Sequence, residues 1–250
     1  NKMTEKVTQL MKDKPAIRWT ALVLLAGAML FAYIFMDILS PLKDILQTQK
    51  GWNSASFGRY AGSETFLNVF VFFLIFAGII LDKMGVRFTA ILAGCVMVIG
   101  GFINFYAVSD SFVGSGLERF FSNCLNLPDS GWNITPFTRD MPASAKLSAI
   151  GFMVFGCGSE MAGITVSRGI VKWFKGHEMA LAMGVEMAIA RVGVAIVMLG
   201  SPAIAAINPI SVSRPVAIAL FLLVVGLISF ICYSVMDKKL EKQMGESGEA

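Results

Sequence analysis

The sequence predicts an all-α membrane protein with six transmembrane helices and both termini in the cytoplasm, and three observations carry this prediction. Hydrophobic residues make up 56% of the 250 residues and charged residues only 15%, which is more apolar than an average soluble domain. The apolar residues form stretches of about twenty residues, the length at which an α-helix crosses a hydrocarbon core of about 30 Å. Lysine and arginine residues flank these stretches unevenly.

Six apolar stretches follow one another along the chain. The first covers residues 19–39, and the basic segment 1–18 before it is expected in the cytoplasm. The others cover residues 57–81, 88–107, 147–171, 180–204 and 215–235, so that residues 19–236 form one transmembrane bundle. The polar connection 108–144 has no helical periodicity and is predicted to be an outer surface loop. The charged segment 237–250 is predicted to be a cytoplasmic tail or a linker to a second half of the protein.

The orientation follows from the positive charges, because lysine and arginine accumulate in the loops that stay in the cytoplasm. Most of the 21 lysine and arginine residues lie in the amino terminus, after spans two and four, and in the tail: Lys2, Lys6, Lys12, Lys14, Arg18, Lys83, Arg87, Arg168, Lys172, Lys175, Lys238, Lys239 and Lys242. They flank apolar spans and form no continuous stripe, so the net charge of +4 does not indicate a nucleic-acid partner. The lipid bilayer is the expected surrounding, with a bacterial inner membrane as the default because no eukaryotic sorting signal is seen.

Ionisable residues inside the spans are the candidate functional residues, because a charge in a bilayer costs several kcal/mol. Spans three and six contain none, whereas the other four contain Asp37, Glu64, Glu160, Glu186 and Arg191. At a rise of 1.5 Å per residue, Glu160 and Arg191 lie about 20 Å and about 16 Å into their spans, near the bilayer midplane. Such a pair either forms a structural ion pair or clamps the carboxylate and ammonium ends of a zwitterion.

The other charges have weaker positions. Glu64 and Asp37 lie nearer the outer surface and are secondary candidates for substrate binding or gating. Glu186 lies about 9 Å from the cytoplasmic edge and roughly 140° around the helix from Arg191, so it is predicted to be a gate residue or to reach towards the headgroups.

Glycine pairs and reactive side chains complete the inventory. The pairs Gly58/Gly62 and Gly156/Gly158 are predicted to allow helices to approach closely. No nucleophile, metal-ligand or cofactor constellation converges, so the sequence predicts no enzyme activity, no cofactor and no metal site. The single histidine, His177, is predicted to be a solvated loop residue.

The turn between spans two and three, residues 78–87 (GIILDKMGVR), resembles the signature loop of the major facilitator superfamily. This resemblance implies the amino-terminal six-helix half of a secondary transporter, completed by a carboxy-terminal six-helix half or by a second copy. It also implies a gating motif that comprises Gly78, Asp82, Lys83, Gly85 and Arg87. In that motif Gly78 allows close packing, Asp82 faces a helix amino terminus of the second half, and Arg87 holds the carboxylate in place.

A narrower resemblance comes from residues 154–160 (VFGCGSE), 172–178 (KWFKGHE) and 190–193 (ARVG), which are similar to the superfamily branch of the lysosomal dipeptide uniporter and its bacterial relatives. It implies that Glu160 and Arg191 contact the two ends of a peptide. Phe152 stands where many proton-coupled members have an arginine, so facilitated diffusion is expected, with Glu160 or Glu64 as the alternative proton carriers.

The expected function is therefore alternating-access transport of a small organic solute, with a dipeptide or similar zwitterion first. Two alternatives stay open at this point. One is an organic-anion or drug carrier in which Arg191 alone binds a carboxylate. The other is a non-transporting membrane scaffold or sensor.

Overall fold

The computed structural model describes residues 9–247. The predictions for Lys2, Lys6 and residues 248–250, which are expected in the cytoplasm, therefore lie outside the described residues. Helices account for about four fifths of the described part, and residues 9–247 contain no β-strand. The helices are α1 (Pro15–Asp37), α2 (Lys43–Lys50), α3 (Ser54–Phe70), α4 (Phe73–Val108), α5 (Gly116–Asn123), α6 (Ala143–Phe174), α7 (Met179–Ala205) and α8 (Ser213–Ser247).

Five of these helices within residues 9–247 are long and apolar enough to cross a membrane: α1 with its continuation to Lys50, α4, α6, α7 and α8. Each exceeds the roughly 20 residues that a bilayer requires. The predicted all-α membrane class is therefore confirmed, and the protein is a multi-pass membrane protein. Helix α1 begins at Pro15. Proline suits the first turn of a helix, because the backbone N–H that it lacks has no acceptor within the helix there.

The predicted second span, 57–81, is not one continuous helix. The helix α3 ends at Phe70, and Phe72 adopts a left-handed backbone conformation with φ 57° before α4 starts. The α4 helix is in turn kinked at Gly85, where φ is 84° and ψ is 172°. A side chain would be strained in this region of backbone space, so glycine suits the position.

The chain reverses direction at Gly85. Tyr60 precedes the kink in the chain and Asn104 follows it. The two residues are in contact, with Asn104 Nδ2 donating to the Tyr60 hydroxyl at 2.7 Å. Because these two residues are far from Gly85 along the chain yet adjacent in space, the segments 54–84 and 86–108 run antiparallel.

The contacts define two ends of the bundle. We call the basic end the set of residues 9–18, 82–87, 168–179 and 237–247, which are joined by ion pairs such as Arg18–Glu178 and Arg87–Glu241. We call the loop end the set 38–53, 109–142 and 206–212, where Gln49 Nε2 donates to the Ile210 carbonyl at 2.8 Å.

Helix α6 is the centre of the packing and contacts α3 and α4 along its length. Small residues make this possible: a Cβ added at Gly151 would lie 2.6 Å from the Asn104 nitrogen, and one at Gly156 would collide with the Glu64 carbonyl. The predicted close approach at Gly156 and Gly158 is therefore confirmed. The prediction for Gly58 and Gly62 is wrong within residues 9–247, since a Cβ there would meet nothing within 4 Å.

Two predicted non-helical segments are partly helical. The connection 108–144 contains α5, whose first turn is capped by Ser115 Oγ accepting from the Glu118 nitrogen at 3.2 Å. Phe112 and Phe121 from this connection pack with Leu147 of α6 in a small apolar cluster. At the other end of the chain, α8 does not stop at Val235 but continues to Ser247.

Candidate functional site

A cavity of about 210 Å³ lies between α1, α6 and α7. Its lining comprises Met29, Tyr33, Gly163, Ser167, Glu186, Met187, Ala190 and Arg191. We call it the Arg191 cavity. Its depth along the helices agrees with the midplane position expected for Arg191, which lies near the middle of α7.

Arg191 is exposed, and no hydrogen bond or ion pair joins its guanidinium to any other part of residues 9–247. A lone guanidinium inside a membrane helix is costly unless a counter-charge, water or a polar ligand accompanies it. The cavity supplies the room for such a group. Arg191 is therefore placed to bind an anion through two parallel N–H···O bonds.

Glu186 lines the same cavity as Arg191. The sequence predicts that the two point about 140° apart and that Glu186 acts near the edge of the membrane, so the structure differs from that expectation. Two long side chains on adjacent turns can bend into one space between α1 and α6. The cavity thus carries one cation and one carboxylate from a single helix, and no ion pair joins them.

Glu160 is half-buried on α6 and does not line the Arg191 cavity. No ion pair joins Glu160 to Arg191 in the described residues, so the structural ion pair considered from the sequence is absent there. Glu160 instead follows Ser159, whose hydroxyl donates to the Glu64 carboxylate at 3.1 Å.

Glu64 is buried on α3, with 7% of its surface exposed. Its carboxylate accepts a hydrogen bond from Ser159 Oγ at 3.1 Å, and the absence of a side chain at Gly156 lets the α3 backbone approach α6. Glu64 is therefore packed between two helices, with Ser159 as its hydrogen-bond donor. We call Asp37, Glu64 and Glu160 the acidic set; they lie on α1, α3 and α6, and none of them lines the Arg191 cavity.

Four of the five predicted gating residues, all except Gly78, lie at the basic end, but their pairing differs from the expectation. Arg168 Nη2 donates to Asp82 Oδ1 at 2.6 Å, whereas Arg87 pairs with Glu241 at 2.6 Å. The prediction that Arg87 holds the Asp82 carboxylate is therefore wrong in this structure. Each pair still joins the turn at 82–87 to another helix, α6 in the first case and α8 in the second.

The two glycines of the motif have different surroundings. Gly85 adopts the positive φ described above, which explains the glycine. A Cβ at Gly78 would meet nothing within 4 Å, so the close packing predicted for Gly78 is not formed within residues 9–247. Lys83 is exposed on the same turn.

A buried carboxylate that sequence reasoning missed lies on the extension of α8. Asp237 has 1% of its surface exposed and accepts from Lys172 Nζ at 2.9 Å and Trp173 Nε1 at 3.2 Å. The Tyr233 hydroxyl donates to it at 3.3 Å. The sequence contains one indication of this contact: Tyr233 and Asp237 lie four residues apart and therefore share a helix face.

A second missed residue is Lys146, which is fully buried at the start of α6. Its ammonium donates to the carbonyls of Phe121 and Cys124 at 3.0 and 2.9 Å and to Asn126 Oδ1 at 2.7 Å. All three N–H groups are therefore satisfied. This lysine fixes the connection of the loop end to α6.

His177 also differs from the expectation of a solvated loop residue. Its Nε2 lies 3.0 Å from Asp13 Oδ1, next to the pair formed by Arg18 and Glu178 at 3.0 Å. The Arg18 guanidinium also lies 5.6 Å from the centre of the Phe174 ring. Residues before α1 are thus tied to the turn between α6 and α7.

The long apolar helices define a multi-pass membrane protein, and a cavity with one cation and one carboxylate lies between three of these helices. Comparison with known proteins adds no relative: no family model, curated protein or solved structure matches the chain.

Proposed function

We propose that this chain forms one six-helix bundle of a secondary transporter of the major facilitator type. Its substrate is a small organic solute, with a dipeptide or similar zwitterion first. Transport occurs by alternating access. It is not coupled to protons through position 152, where Phe152 stands in place of an arginine. Both termini face the cytoplasm of a bacterial inner membrane. The support comes from the arrangement of the helices, the charges that they carry and the turn at 78–87.

Six crossings are supported by the antiparallel course of the segments before and after Gly85. The segment 54–84 is interrupted near Phe72, but its 31 residues extend about 45 Å if helical, more than a hydrocarbon core of about 30 Å. It begins at the loop end, where Arg59 Nη1 donates to the Thr135 carbonyl, and it ends at Asp82 beside Arg168. With this segment included, six segments connect the two ends.

The observation that carries the transport proposal is the unpaired Arg191 in a cavity between three helices. A purely structural arginine would be expected to have a carboxylate partner, because the membrane penalises an isolated charge. Broken segments and polar residues at the interface between bundles are typical of substrate sites in secondary transporters. We therefore assign Arg191 to a carboxylate of the solute.

The ammonium end of a zwitterion requires an acidic partner. Glu186 shares the cavity with Arg191, while Glu160 and Glu64 belong to the neighbouring acidic set. Either group could serve this role, depending on the length of the solute. A dipeptide is the first candidate because a cation and several carboxylates are available on facing helices.

One observation favours a second candidate, an organic-anion carrier. Glu160, the predicted partner of the ammonium end, does not line the Arg191 cavity. If Glu186 instead serves only as a gate, Arg191 alone would bind a monocarboxylate.

The charged residues on the exposed side of α7 further support a partner bundle. Arg191 is exposed, and Glu186 is half-buried on this helix. Facing lipid, both would be unfavourable. A second six-helix bundle, contributed by a carboxy-terminal half or by another copy, would enclose this face and complete the cavity.

The test is a binding measurement, since a ligand that binds only the folded state raises thermal stability. The purified protein in detergent is heated with dipeptides, amino-blocked dipeptides, single amino acids and monocarboxylates. The measurement is repeated with Arg191→Ala, Glu186→Gln and Glu160→Gln, and with Arg119→Ala on α5 as a control for charge removal outside the cavity.

Stabilisation by dipeptides that is lost on blocking the amino group, and lost in Arg191→Ala but not in Arg119→Ala, supports the dipeptide carrier. Equal stabilisation by blocked peptides and monocarboxylates supports the organic-anion carrier. No stabilisation by any compound, together with full retention of fold in Arg191→Ala, contradicts transport and favours a membrane scaffold or sensor.

A further inference from the structure

One exposed face of α8 changes character along its length. The exposed residues Phe221, Val224, Ile228, Ile231 and Val235 follow one another at spacings of three and four residues. Such spacings place side chains on one face of a helix. The same face then continues with three exposed lysines, Lys238, Lys239 and Lys242.

The change from apolar to basic residues on this face of α8 falls at a defined depth in the membrane. From Phe221 to Val235 the face extends about 21 Å, which is more than half of a hydrocarbon core of about 30 Å. The apolar face next to the lysines is therefore long enough to cover one lipid leaflet. The lysines begin where the headgroups of that leaflet would lie.

The lysines are not neutralised by the rest of the described chain. The nearby carboxylate of Glu241 forms an ion pair with Arg87 at 2.6 Å. No ion pair joins Lys238, Lys239 or Lys242 to another part of residues 9–247. Three unpaired ammonium groups at one membrane surface attract an anionic headgroup.

The space for a ligand is present at this position. A cavity of about 480 Å³ lies where α4 and α8 meet at the basic end, lined by Arg87, Val235, Lys238, Lys239, Glu241 and Lys242. Along the same seam, a cavity of about 360 Å³ is lined only by apolar residues of α4 and α8, among them Phe102 and Val224. Between the two cavities α8 presents the exposed apolar side chains of Ile228, Ile231 and Val235, a surface that a soluble anion does not require.

We propose that the seam between α4 and α8 binds one anionic phospholipid in the leaflet at the basic end. The phosphate lies among Lys238, Lys239 and Lys242, and an acyl chain lies along Val235, Ile231 and Ile228. This inference rests on the membrane placement of α8 and not on transport, so it stands or falls independently of the solute.

The test is native mass spectrometry of the purified protein with phosphatidylglycerol or phosphatidylcholine, from which a dissociation constant for each lipid is obtained. The variant Lys238→Gln/Lys242→Gln is compared with Lys14→Gln/Lys175→Gln, which removes two exposed lysines from the same end of the bundle. A third arm adds glycerophosphoglycerol, the headgroup without acyl chains, as a competitor.

We expect phosphatidylglycerol to bind at least tenfold more tightly than phosphatidylcholine. The Lys238→Gln/Lys242→Gln variant weakens that binding by about fivefold per lysine, roughly 25-fold in total, because each lysine near an anionic surface contributes about that much. The Lys14→Gln/Lys175→Gln variant stays within twofold of the parent. Thermal unfolding of both variants stays at the parent value, since all four lysines are exposed.

Equal affinity for the two lipids overturns the proposal, as does equal weakening in both double variants. Competition by glycerophosphoglycerol at the potency of the intact lipid also overturns it, because the apolar face of α8 would then contribute nothing and the site would be one for soluble anions.

Discussion

Asp237 on α8 accepts a hydrogen bond from Lys172 Nζ of α6 at 2.9 Å while almost none of its own surface is exposed. Trp173 and Tyr233 donate to the same carboxylate. The extension of α8 beyond the apolar part of the helix is thereby joined to the end of α6. It is a packed part of the bundle at the basic end.

The first prediction concerns this carboxylate. Asp237→Ala should lower the free energy of unfolding by about 2–3 kcal/mol, because Lys172, Trp173 and Tyr233 all lose their acceptor. The estimate lies below the range for fully buried pairs since Lys172 is partly exposed. Thermal or denaturant unfolding in detergent measures the loss. Asp110→Ala, at a fully exposed carboxylate, should cost less than about 0.5 kcal/mol, and similar losses in the two variants would contradict the assignment.

The second prediction compares two glycines on α6. Gly156→Ala should destabilise the protein by about 2 kcal/mol or more, because the added methyl group collides with the Glu64 backbone and must push α3 from α6. Gly163→Ala meets nothing within 4 Å and should be neutral or stabilising by up to about 1 kcal/mol. Unfolding midpoints of the two variants measure the difference. A Gly156→Ala protein as stable as the parent would show that α3 and α6 are farther apart than described.

The third prediction uses the two glycines of the turn motif. Gly85→Ala should cost about 1–3 kcal/mol, since alanine is strained at φ 84° and ψ 172°. Gly78→Ala should not destabilise the isolated protein, because no atom lies near the added Cβ. Unfolding measurements on both variants provide the check. If Gly78→Ala proves the more damaging of the two, Gly78 packs against a partner bundle as the resemblance implies.

The fourth prediction concerns pH. The backbone N–H of Glu178 lowers the pKa of its carboxyl below the ordinary 4.5, and the Arg18 guanidinium lowers it further. A lowered pKa in the folded state gives stability that is present above the ordinary value and is lost as the pH falls through the folded value. The difference in unfolding midpoint between the parent and Glu178→Gln should therefore be largest at neutral pH and shrink below about pH 4.5. A difference that is constant from pH 7 to pH 4 would exclude this contribution.

Hydropathy alone sufficed for the class of fold and for the approximate helix positions. Apolar stretches mark where a helix can lie in a bilayer, and α1, α6 and α7 begin and end within four residues of the predicted spans. It did not show the break near Phe72, because Val71 and Phe72 are as apolar as their neighbours and no glycine or proline marks the interruption. Hydropathy also predicted that the last helix ends at Val235, because the apolar residues stop there. The helix itself continues through the charged residues to Ser247.

The candidate site was predicted less completely than the fold. The cost of burying a charge identified Arg191, Glu64, Glu160 and Glu186 without any alignment. Their grouping was not accessible in this way, because it depends on how each helix is rotated against its neighbours. Thus Glu186 joined Arg191 in one cavity, while Glu160 lay with Glu64, and Asp237 was overlooked because it fell outside the apolar stretch.

The three hydrogen bonds from Lys146 have a practical consequence for anyone who labels this protein. They bind residues 121–126 of the connection to the start of α6, whereas Trp132, a few residues later, is 93% exposed. A fluorophore attached in place of the Trp132 side chain should leave the bundle intact, while an insertion between Phe121 and Asn126 would separate the ammonium from its acceptors. The connection therefore offers an exposed labelling position a few residues from a segment that holds the start of α6.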